Sequence, residues 1–589
     1  MSWFIAAVPK SPLDNDTKRE HLVGLLRRVS GMEAKLSVAG REMIVLGGGD
    51  KDTFMYGIEE SRASGWLVCG AGIKHSGDSF SFMDKEDWRN LVDGGLSKES
   101  LRHLNGHFVV ASWHGNTIRI LCDRLELRRA YAVETRDCFV ISPRVDWVSS
   151  MMKEKSFDLA ELSTTWTLKN SLSSGSFVRN VTRIGPSGEY FVSGQRPFHE
   201  WSHFTPNQPV DLPIDSLVKG LALFPLKCGR KVTLGLSGGM DSRTLLAILS
   251  KERRENWQVH TCGETGNPDI PVARKLSSAL QVRHLVEYFE LPESLVVDEL
   301  IKALRDYVLQ TEMSDSPFGF QKLDLFSRMK AEGYVMIDGG YGELFRRSYG
   351  NIMQLTGSRA IADRNASGFT EYYLMPRSRI FNDDIHRMFA SESVSRMRLA
   401  MESMPAVRSG DVGNWIDLFH VRYRLKNYAG GSQGLYDQHI TSFMPFAQPV
   451  VIDSYLSGSS NARRNNKLNR RIIRAGDSSL THIPLVASGG TVPFRTSKSM
   501  ILSRALGRFN RILKSNGKSG VETFRRQVLN LLKDFIIDRS TSSAVIGCEL
   551  YDQKALKNNI EEYFRSGDKS CEQFIEDWLI FDFWREEVA

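Results

Sequence analysis

KVTLGLSGGMDSRTLLAILSKE, residues 231–252, is the stretch that decides the fold of this protein. It starts with an apolar β-rich run, ends with a helical run, and joins the two through a turn of glycines and serines. Such a turn at a helix N-terminus directs backbone N–H groups to one point, where the helix dipole adds positive potential. The segment therefore predicts a strand, a phosphate-binding loop and a helix; a glycine-rich turn without a ligand is the structural alternative.

Each residue of this loop has an expected task. Gly238 and Gly239 let the backbone approach an anion closely, and the Ser237 and Ser242 hydroxyls can donate to it. Asp241 places a carboxylate beside the phosphates, which suits a magnesium ion. The expected nucleotide-binding residues of this loop are Leu236, Ser237, Gly238, Gly239, Asp241 and Ser242. The sequence lacks the GxxxxGK[ST] pattern, which excludes a kinase-type or GTPase-type site.

Strands alternate with helices on the C-terminal side of the loop. The next strand candidates are WQVHTC (257–262), RHLVEYF (283–289) and YVMID (334–338). Strands separated by helices of this length indicate a doubly wound parallel sheet, so the fold class is α/β. From about residue 345 onward the pattern is mostly helical and contains no strong strand signal.

On the N-terminal side, the first two hundred residues read as short strands joined by turns. Examples are FVVASWHG (108–115) and TIRILCDR (117–124), which flank a hairpin-like turn, and CFVISP (138–143). The polar, proline-containing stretch 203–213 is typical of a linker. We therefore expect two domains, 1–205 and 206–589, which suits a chain of 589 residues.

Composition narrows the class of protein further. Apolar residues make up 41% and charged residues 25% of the chain, as in ordinary globular proteins. No run of 18 apolar residues occurs, so no membrane association is expected. The seven cysteines form no CxxC pair, which indicates reduced thiols, a cytoplasmic location and no structural zinc.

The net charge of +8 is concentrated in one block. Between Arg463 and Arg526 there are fifteen Lys or Arg residues and two acidic ones, Asp477 and Glu522. A basic block of this kind serves a polyphosphate, a nucleic acid or an acidic partner, or is simply a solvated helix face.

The SGGMDS loop resembles the pyrophosphate loop of the asparagine synthetase superfamily, and other segments extend the resemblance over most of the chain. The stretch 334–345, YVMIDGGYGELF, is similar to the second glycine-rich loop of that family, and 443–456, FMPFAQPVVIDSYL, to its Pro-Phe-Leu-Asp segment. Members activate a carboxylate with ATP, release pyrophosphate and let an amine attack the acyl-adenylate. The resemblance implies ATP and Mg²⁺ as cofactors, Gly339 and Gly340 as nucleotide-binding residues, and Lys498 as a catalytic residue that neutralises phosphate charge.

The N-terminal part resembles the glutaminase domain of the same family, a four-layer α+β sandwich of the N-terminal-nucleophile class. The residues that carry this resemblance are LNGHF (104–108) and CDRL (122–125). Glutamine-using members start with a cysteine nucleophile after removal of Met, whereas this chain has Ser2. The family's glutamine-pocket signature, Arg-Gly-Pro followed by Asn-Gly-Glu, is also missing, and Val68-Cys69-Gly70-Ala71-Gly72 stands in place of its second part. We therefore expect a degenerate domain without glutaminase activity.

The second departure lies in the second glycine-rich loop. Relatives carry a metal-binding Asp where this chain has Gly342, so a neighbour, Glu343 or Asp338, is needed to replace it. The sequence favours Glu343 as a catalytic and metal-binding residue together with Asp241, and it leads us to expect that Gly342→Asp strengthens magnesium binding. A weakened metal site, with Glu343 merely capping a helix, is the alternative.

The resemblance implies an ATP-dependent, AMP-forming carbon–nitrogen ligase. Because the first domain lacks its nucleophile, the amine comes from the substrate itself, a second substrate or ammonia. Peptide ring closure of the lasso-peptide cyclase type is favoured, and β-lactam synthesis is the related ring closure. The expected partners are a substrate peptide or small carboxylate and a processing protease, with no nucleic acid. The alternatives are amidation of an amino acid or sugar acid with ammonia, a non-catalytic ATP-binding protein, and a nucleic-acid-modifying ATPase.

Overall fold

Two antiparallel sheets dominate the first two hundred residues of the computed structural model, which describes residues 2–61, 63–193, 196–207, 210–291, 296–407, 411–515 and 523–588. The strands are β1 (Trp3–Pro9), β2 (Leu36–Ala39), β3 (Ile44–Gly48), β4 (Phe54–Ile58), β5 (Ser64–Ser76), β6 (Ser79–Phe82), β7 (Asn105–His114), β8 (Thr117–Cys122), β9 (Ala130–Glu134), β10 (Cys138–Ser142), β11 (Val181–Ile184), β12 (Glu189–Ser193) and β13 (Arg196–Glu200). The helices are α1 (Asp16–Ser30), α2 (Lys85–Asp93), α3 (Lys98–Leu101), α4 (Val145–Ser150) and α5 (Leu159–Thr167).

These two sheets lie face to face with helices on their outer sides. The first has the order β11-β9-β10-β1-β3-β2, and the second has the order β13-β12-β8-β7-β5-β4, with β6 paired to β5. Strand β1 shows the alternation, because Phe4 points to the core between the sheets, whereas Trp3 points outward to the helical layer. Trp88 of α2 covers the outer face of the second sheet. The result is a helix–sheet–sheet–helix arrangement.

A parallel sheet forms the centre of the second half. Its order is β16-β15-β14-β17-β18, and all four pairings are parallel. After β14, the chain adds β15 and β16 on one side of it and then crosses to add β17 and β18 on the other. The strand order therefore reverses between β14 and β17, and open α/β sheets bind ligands at such a point. Its strands are β14 (Lys231–Gly235), β15 (Trp257–Gly263), β16 (His284–Tyr288), β17 (Tyr334–Ile337) and β18 (Ser442–Phe443).

Helices surround this sheet and make up most of the remaining chain. They are α6 (Ile214–Lys227), α7 (Met240–Leu249), α8 (Asp269–Leu280), α9 (Val297–Thr311), α10 (Lys322–Ala331), α11 (Gly342–Arg346), α12 (Ser348–Thr356), α13 (Ser358–Ala362), α14 (Ala366–Thr370), α15 (Asp383–Glu402), α16 (Val412–Phe419), α17 (Lys426–His439), α18 (Pro449–Ser457), α19 (Lys467–Gly476), α20 (Met500–Ser515), α21 (Phe524–Leu531), α22 (Lys533–Ser540), α23 (Ser543–Ile546), α24 (Gln553–Ser566) and α25 (Lys569–Val588). A π-helical segment, His420–Leu425, joins α16 to α17, and a hairpin of β19 (Leu485–Ala487) and β20 (Gly490–Val492) follows α19.

The mixed α/β class is confirmed, and four of the parallel strands lie where the sequence indicated them. The fifth, β18, was missed because it has only two residues and sits in a stretch that reads as helical. The hairpin at 485–492 was missed for the same reason. Part of the basic block, residues 516–522, lies outside the described residues. Among the helices that the structure describes, none is long and apolar enough to cross a membrane.

Buried contacts join the two halves of the chain. The domain boundary at residue 205 stays a prediction. Phe204, in the expected linker, is 1% exposed, and its carbonyl accepts a hydrogen bond from Arg422. Arg124 of the first half lies 2.9 Å from Asp453 of the second. Glu126 lies 2.6 Å from Lys426 of α17 and 2.8 Å from Arg183, and all three side chains are almost wholly buried.

We expect Glu126 to carry more of the stability of this junction than either of its cations. Glu126→Gln leaves two buried cations facing each other and should lower the free energy of unfolding by about 3–5 kcal/mol. Lys426→Met leaves Glu126 paired with Arg183 and should cost less. Urea unfolding of both variants measures the difference, with Arg379→Ala in an exposed ion pair as the control. An equal or larger loss in Lys426→Met would contradict this assignment.

Candidate functional site

The loop that follows β14 has the strand–loop–helix form expected from the sequence. Strand β14 ends at Gly235 and α7 begins at Met240, with Gly239 as an N-cap residue that offers no side chain. The N–H groups of the first turn of α7 therefore have no side-chain cap and face the end of the sheet. This is the arrangement that favours an anion at a helix N-terminus.

The two serines of the loop hold it together. The Ser237 amide donates to Oγ of Ser242 at 3.1 Å, the two hydroxyls lie 3.0 Å apart, and the Gly239 amide donates to Oγ of Ser237 at 3.2 Å. Each hydroxyl carries only one proton. When Ser237 or Ser242 donates it within the loop, that hydroxyl cannot also donate it to a ligand. Their first task is thus to fix the turn, which the sequence reading did not anticipate.

Asp269 at the start of α8 also fixes the loop. Its Oδ1 accepts a hydrogen bond from the Gly238 amide at 2.7 Å, so that this N–H already has an acceptor. Burial raises the pKa of Asp269 above its usual value. Asp269 was not among the predicted site residues, although its place after the second strand, at the start of a helix, was the available signal.

A buried arginine connects the loop to the C-terminal hairpin. Arg243 of α7 is 0% exposed, and its guanidinium donates to the carbonyls of Leu480, Ile483 and Pro484 at 2.6–3.1 Å. Burial without a carboxylate partner lowers the pKa of Arg243 to about 9. The Val486 amide in turn donates to the Gly238 carbonyl at 2.9 Å, so the hairpin lies directly on the loop.

The second glycine-rich loop approaches the first one from the neighbouring strand. Strand β17 ends at Ile337, and Oδ1 of Asp338 accepts a hydrogen bond from the Gly340 amide at 2.6 Å. A Cβ on Gly339 would stand 3.0 Å from Cβ of Asp241 and 2.9 Å from the Ser242 amide nitrogen. Glycine is therefore required at 339, because the backbones of the two loops are in direct contact.

Gly342 closes the same contact and overturns the expectation for Gly342→Asp. A Cβ at this position would lie 2.5 Å from Cβ and 2.7 Å from Oδ1 of Asp241. An aspartate there would displace Asp241 rather than join it in binding a metal. Any side chain at position 342 thus requires Asp241 to move.

Asp241 and Glu343 are the candidate carboxylates for binding a metal ion. Oδ1 of Asp241 and Oε1 of Glu343 are buried and have no hydrogen-bond partner within the described residues. Burial raises the pKa of Asp241 to about 6, Arg346 opposes that shift and the Glu343 charge adds to it. Asp338, by contrast, is engaged by the Gly340 amide, which favours Glu343 over Asp338 as the second ligand. Oε1 of Glu343 does lie 3.7 Å from Nη2 of Arg424, and Oδ2 of Asp241 lies 2.9 Å from Nε of Arg346. Two carboxylate oxygens without hydrogen bonds fit Mg²⁺, which would share these carboxylates with the two arginines.

The described residues contain no group of three or more His, Cys, Asp or Glu that could hold a metal. A magnesium ion at Asp241 and Glu343 would therefore take its remaining oxygens from phosphates and water. Lys498 ends the 3₁₀ turn Phe494–Lys498 and is exposed, and no contact among the described residues joins it to Asp241 or Glu343. Its catalytic role stays a prediction.

In the first half, the surroundings of Ser2, which stands where glutamine-using enzymes have their cysteine nucleophile, leave little free space. Ser2 is 1% exposed, and its Oγ accepts a hydrogen bond from Nη2 of Arg128 at 2.8 Å. The adjoining cavity has a volume of about 30 Å³, enough for one or two waters and too small for glutamine. Burial raises the pKa of the Cys69 thiol to about 12, so Cys69 does not supply a thiolate in its place.

We expect Gly342→Ala to weaken nucleotide binding, because the added methyl group would push Asp241 and the first loop out of position. The measurement is calorimetric titration with ATP and Mg²⁺, with a loss of about 10-fold or more expected. Gly24→Ala, at an open position in α1, is the control and should leave binding unchanged. Wild-type affinity in Gly342→Ala would show that this contact does not shape the site.

Comparison with known proteins finds a family match for part of the chain. Residues 226–346, which contain both glycine-rich loops, match the family model described as asparagine synthase. No curated protein matches the sequence significantly. Two solved structures are similar at 10% identity: an allosteric regulatory enzyme of purine biosynthesis (57% of this chain, 74% of that chain, TM-score 0.21) and a glutamine phosphoribosylpyrophosphate amidotransferase from B. subtilis complexed with ADP and GMP (58%, 75%, TM-score 0.20). Residues 226–346 are therefore similar to the asparagine synthase domain.

Proposed function

We propose that this protein is an ATP-dependent, AMP-forming ligase that activates a substrate carboxylate for attack by an amine. The asparagine synthase domain supports the broader statement, an ATP-dependent ligase. One observation carries the proposal: two glycine-rich loops from adjacent parallel strands meet at Asp241, beside an uncapped helix N-terminus and a second carboxylate, Glu343.

In this proposal the chain's own groups position the reactants. The first turn of α7 binds phosphate oxygens through its N–H groups, and Ser237 and Ser242 keep the turn in shape. Asp241 and Glu343 would hold a magnesium ion, which would neutralise charge on the departing pyrophosphate. Proximity and orientation in this closed setting would then favour attack of the substrate carboxylate on the α-phosphorus.

The amine is not released from glutamine by the first half in this proposal. The layered sheets support assignment of that half to the glutaminase-like, N-terminal-nucleophile class, whereas the Ser2–Arg128 contact and the small cavity argue against activity there. An amine within the substrate then suits the protein best, as in ring closure of a peptide of the lasso type, with ammonia as the second source. A peptide substrate, a processing protease as partner and a cytoplasmic location belong to the same proposal.

Asp241→Asn should reduce ATP-dependent pyrophosphate release by about two orders of magnitude or more, the scale found when one charge-stabilising group is removed. The assay follows pyrophosphate with candidate peptides and with amino acids plus ammonia. Asp383→Asn, in an exposed ion pair, is the matched control and should match the wild type. A wild type that binds ATP but never releases pyrophosphate would favour a non-catalytic ATP-binding protein.

Ser2→Ala should leave pyrophosphate release unchanged, because Ser2 is buried beneath Arg128 and does not reach the synthetase loops. The wild type should likewise release no glutamate from glutamine, measured by a coupled glutamate assay. Glutamate release that disappears in Ser2→Ala would reveal a working serine nucleophile and overturn the reading of the first half.

A further inference from the structure

Arg346 places a guanidinium at the candidate site, and neither the sequence motifs nor the family match gives it a role. It is the last residue of α11, and its Nε lies 2.9 Å from Oδ2 of Asp241. Its side chain is 33% exposed, whereas that of Asp241 is 14% exposed. Within the part of the chain that the structure describes, Asp241 is its only recorded ion-pair partner.

The missing side chain at 342 explains how Arg346 reaches Asp241. Residues 342 and 346 are four apart, so they lie on the same face of α11. Gly342 keeps this face bare and in contact with Asp241, which leaves the guanidinium a short path to the carboxylate. The neighbouring Arg347 points elsewhere, is fully buried and pairs with Asp417 at 2.9 Å.

The pair gives the site a charge balance that two carboxylates alone would lack. A carboxylate at the mouth of a phosphate loop repels the phosphates unless a cation stands between them. Nε of Arg346 lies 2.9 Å from Oδ2 of Asp241 but makes no hydrogen bond among the described residues, so the contact is an ion pair. The two Nη groups can still donate in parallel to phosphate oxygens. A lysine would offer only a point charge, so the planar fork is the better fit for two adjacent phosphates.

We propose that Arg346 is a phosphate-binding residue of this site: Asp241 orients the guanidinium, and the guanidinium contacts the pyrophosphate part of the nucleotide. The inference rests on the proposed function, since it assumes that a nucleoside triphosphate enters these loops.

Direct binding of inorganic pyrophosphate tests the inference without any need for the substrate. Calorimetric titrations compare wild type, Arg346→Ala, Arg346→Lys and the control Arg379→Ala, each with Mg²⁺ and with EDTA. In every condition in which the wild type binds, Arg346→Ala should bind about 10-fold to 100-fold more weakly. Arg346→Lys should fall in between, and Arg379→Ala should match the wild type. Thermal melting of each variant shows that the fold is retained.

The outcomes separate this inference from the proposed function. Equal or tighter pyrophosphate binding by Arg346→Ala would overturn it, because the guanidinium would then merely occupy Asp241, and the proposed function would still stand. A wild type that binds neither pyrophosphate nor ATP, with or without Mg²⁺, would overturn both. A loss in Arg346→Ala that Arg346→Lys does not restore at all would also count against a charge contact, since the lysine keeps the charge.

Discussion

The contact between the backbone of the second glycine-rich loop and the side chain of Asp241 governs the candidate site. It exists because β14 and β17 are hydrogen-bonded neighbours, so that their carboxyl ends lie side by side. Gly339 and Gly342 permit the approach, and no other residue type fits at either place without a shift of Asp241. The position of the acidic group, the room left for phosphates and the path of Arg346 all follow from this one close approach.

Buried charges are arranged differently at the junction of the two halves and at the two glycine-rich loops. At the junction of the halves, cations and carboxylates are sealed in pairs, as with Glu126 between Lys426 and Arg183. At the loops, Asp241 and Glu343 keep oxygens without hydrogen-bond partners among the described residues. The difference is one of contact distance, because Oε1 of Glu126 also has no hydrogen bond within the described part of the chain but lies 2.8 Å from Arg183, whereas Oε1 of Glu343 lies 3.7 Å from Arg424. Buried oxygens that lack hydrogen bonds and close cations cost free energy and persist where a ligand can satisfy them, which favours the loops as the place of chemistry.

The sequence was sufficient to predict the α/β class, four of the five parallel strands and the strand–loop–helix unit, since these depend on local pattern. It could not show that Ser237 and Ser242 bond to each other, because that contact depends on the exact fold of the turn between them. Nor could it show that Asp269 accepts from the Gly238 amide, because that contact joins two different strand–helix units. Gly342 was interpreted as a lost ligand, and only the packing shows that a side chain is excluded there. Strand β18 and the 485–492 hairpin are too short for periodicity to reveal.

The outer face of the first sheet is covered in part by helices from far along the chain. Trp3 of β1 belongs to the same apolar cluster as Trp584 of α25, and Phe177 meets Trp584 edge-on with ring centroids 4.7 Å apart. During synthesis the sandwich would therefore emerge with part of one face exposed until residues 569–588 had been added. That delay leaves an apolar surface open to chaperones or to aggregation until the last helix has been made.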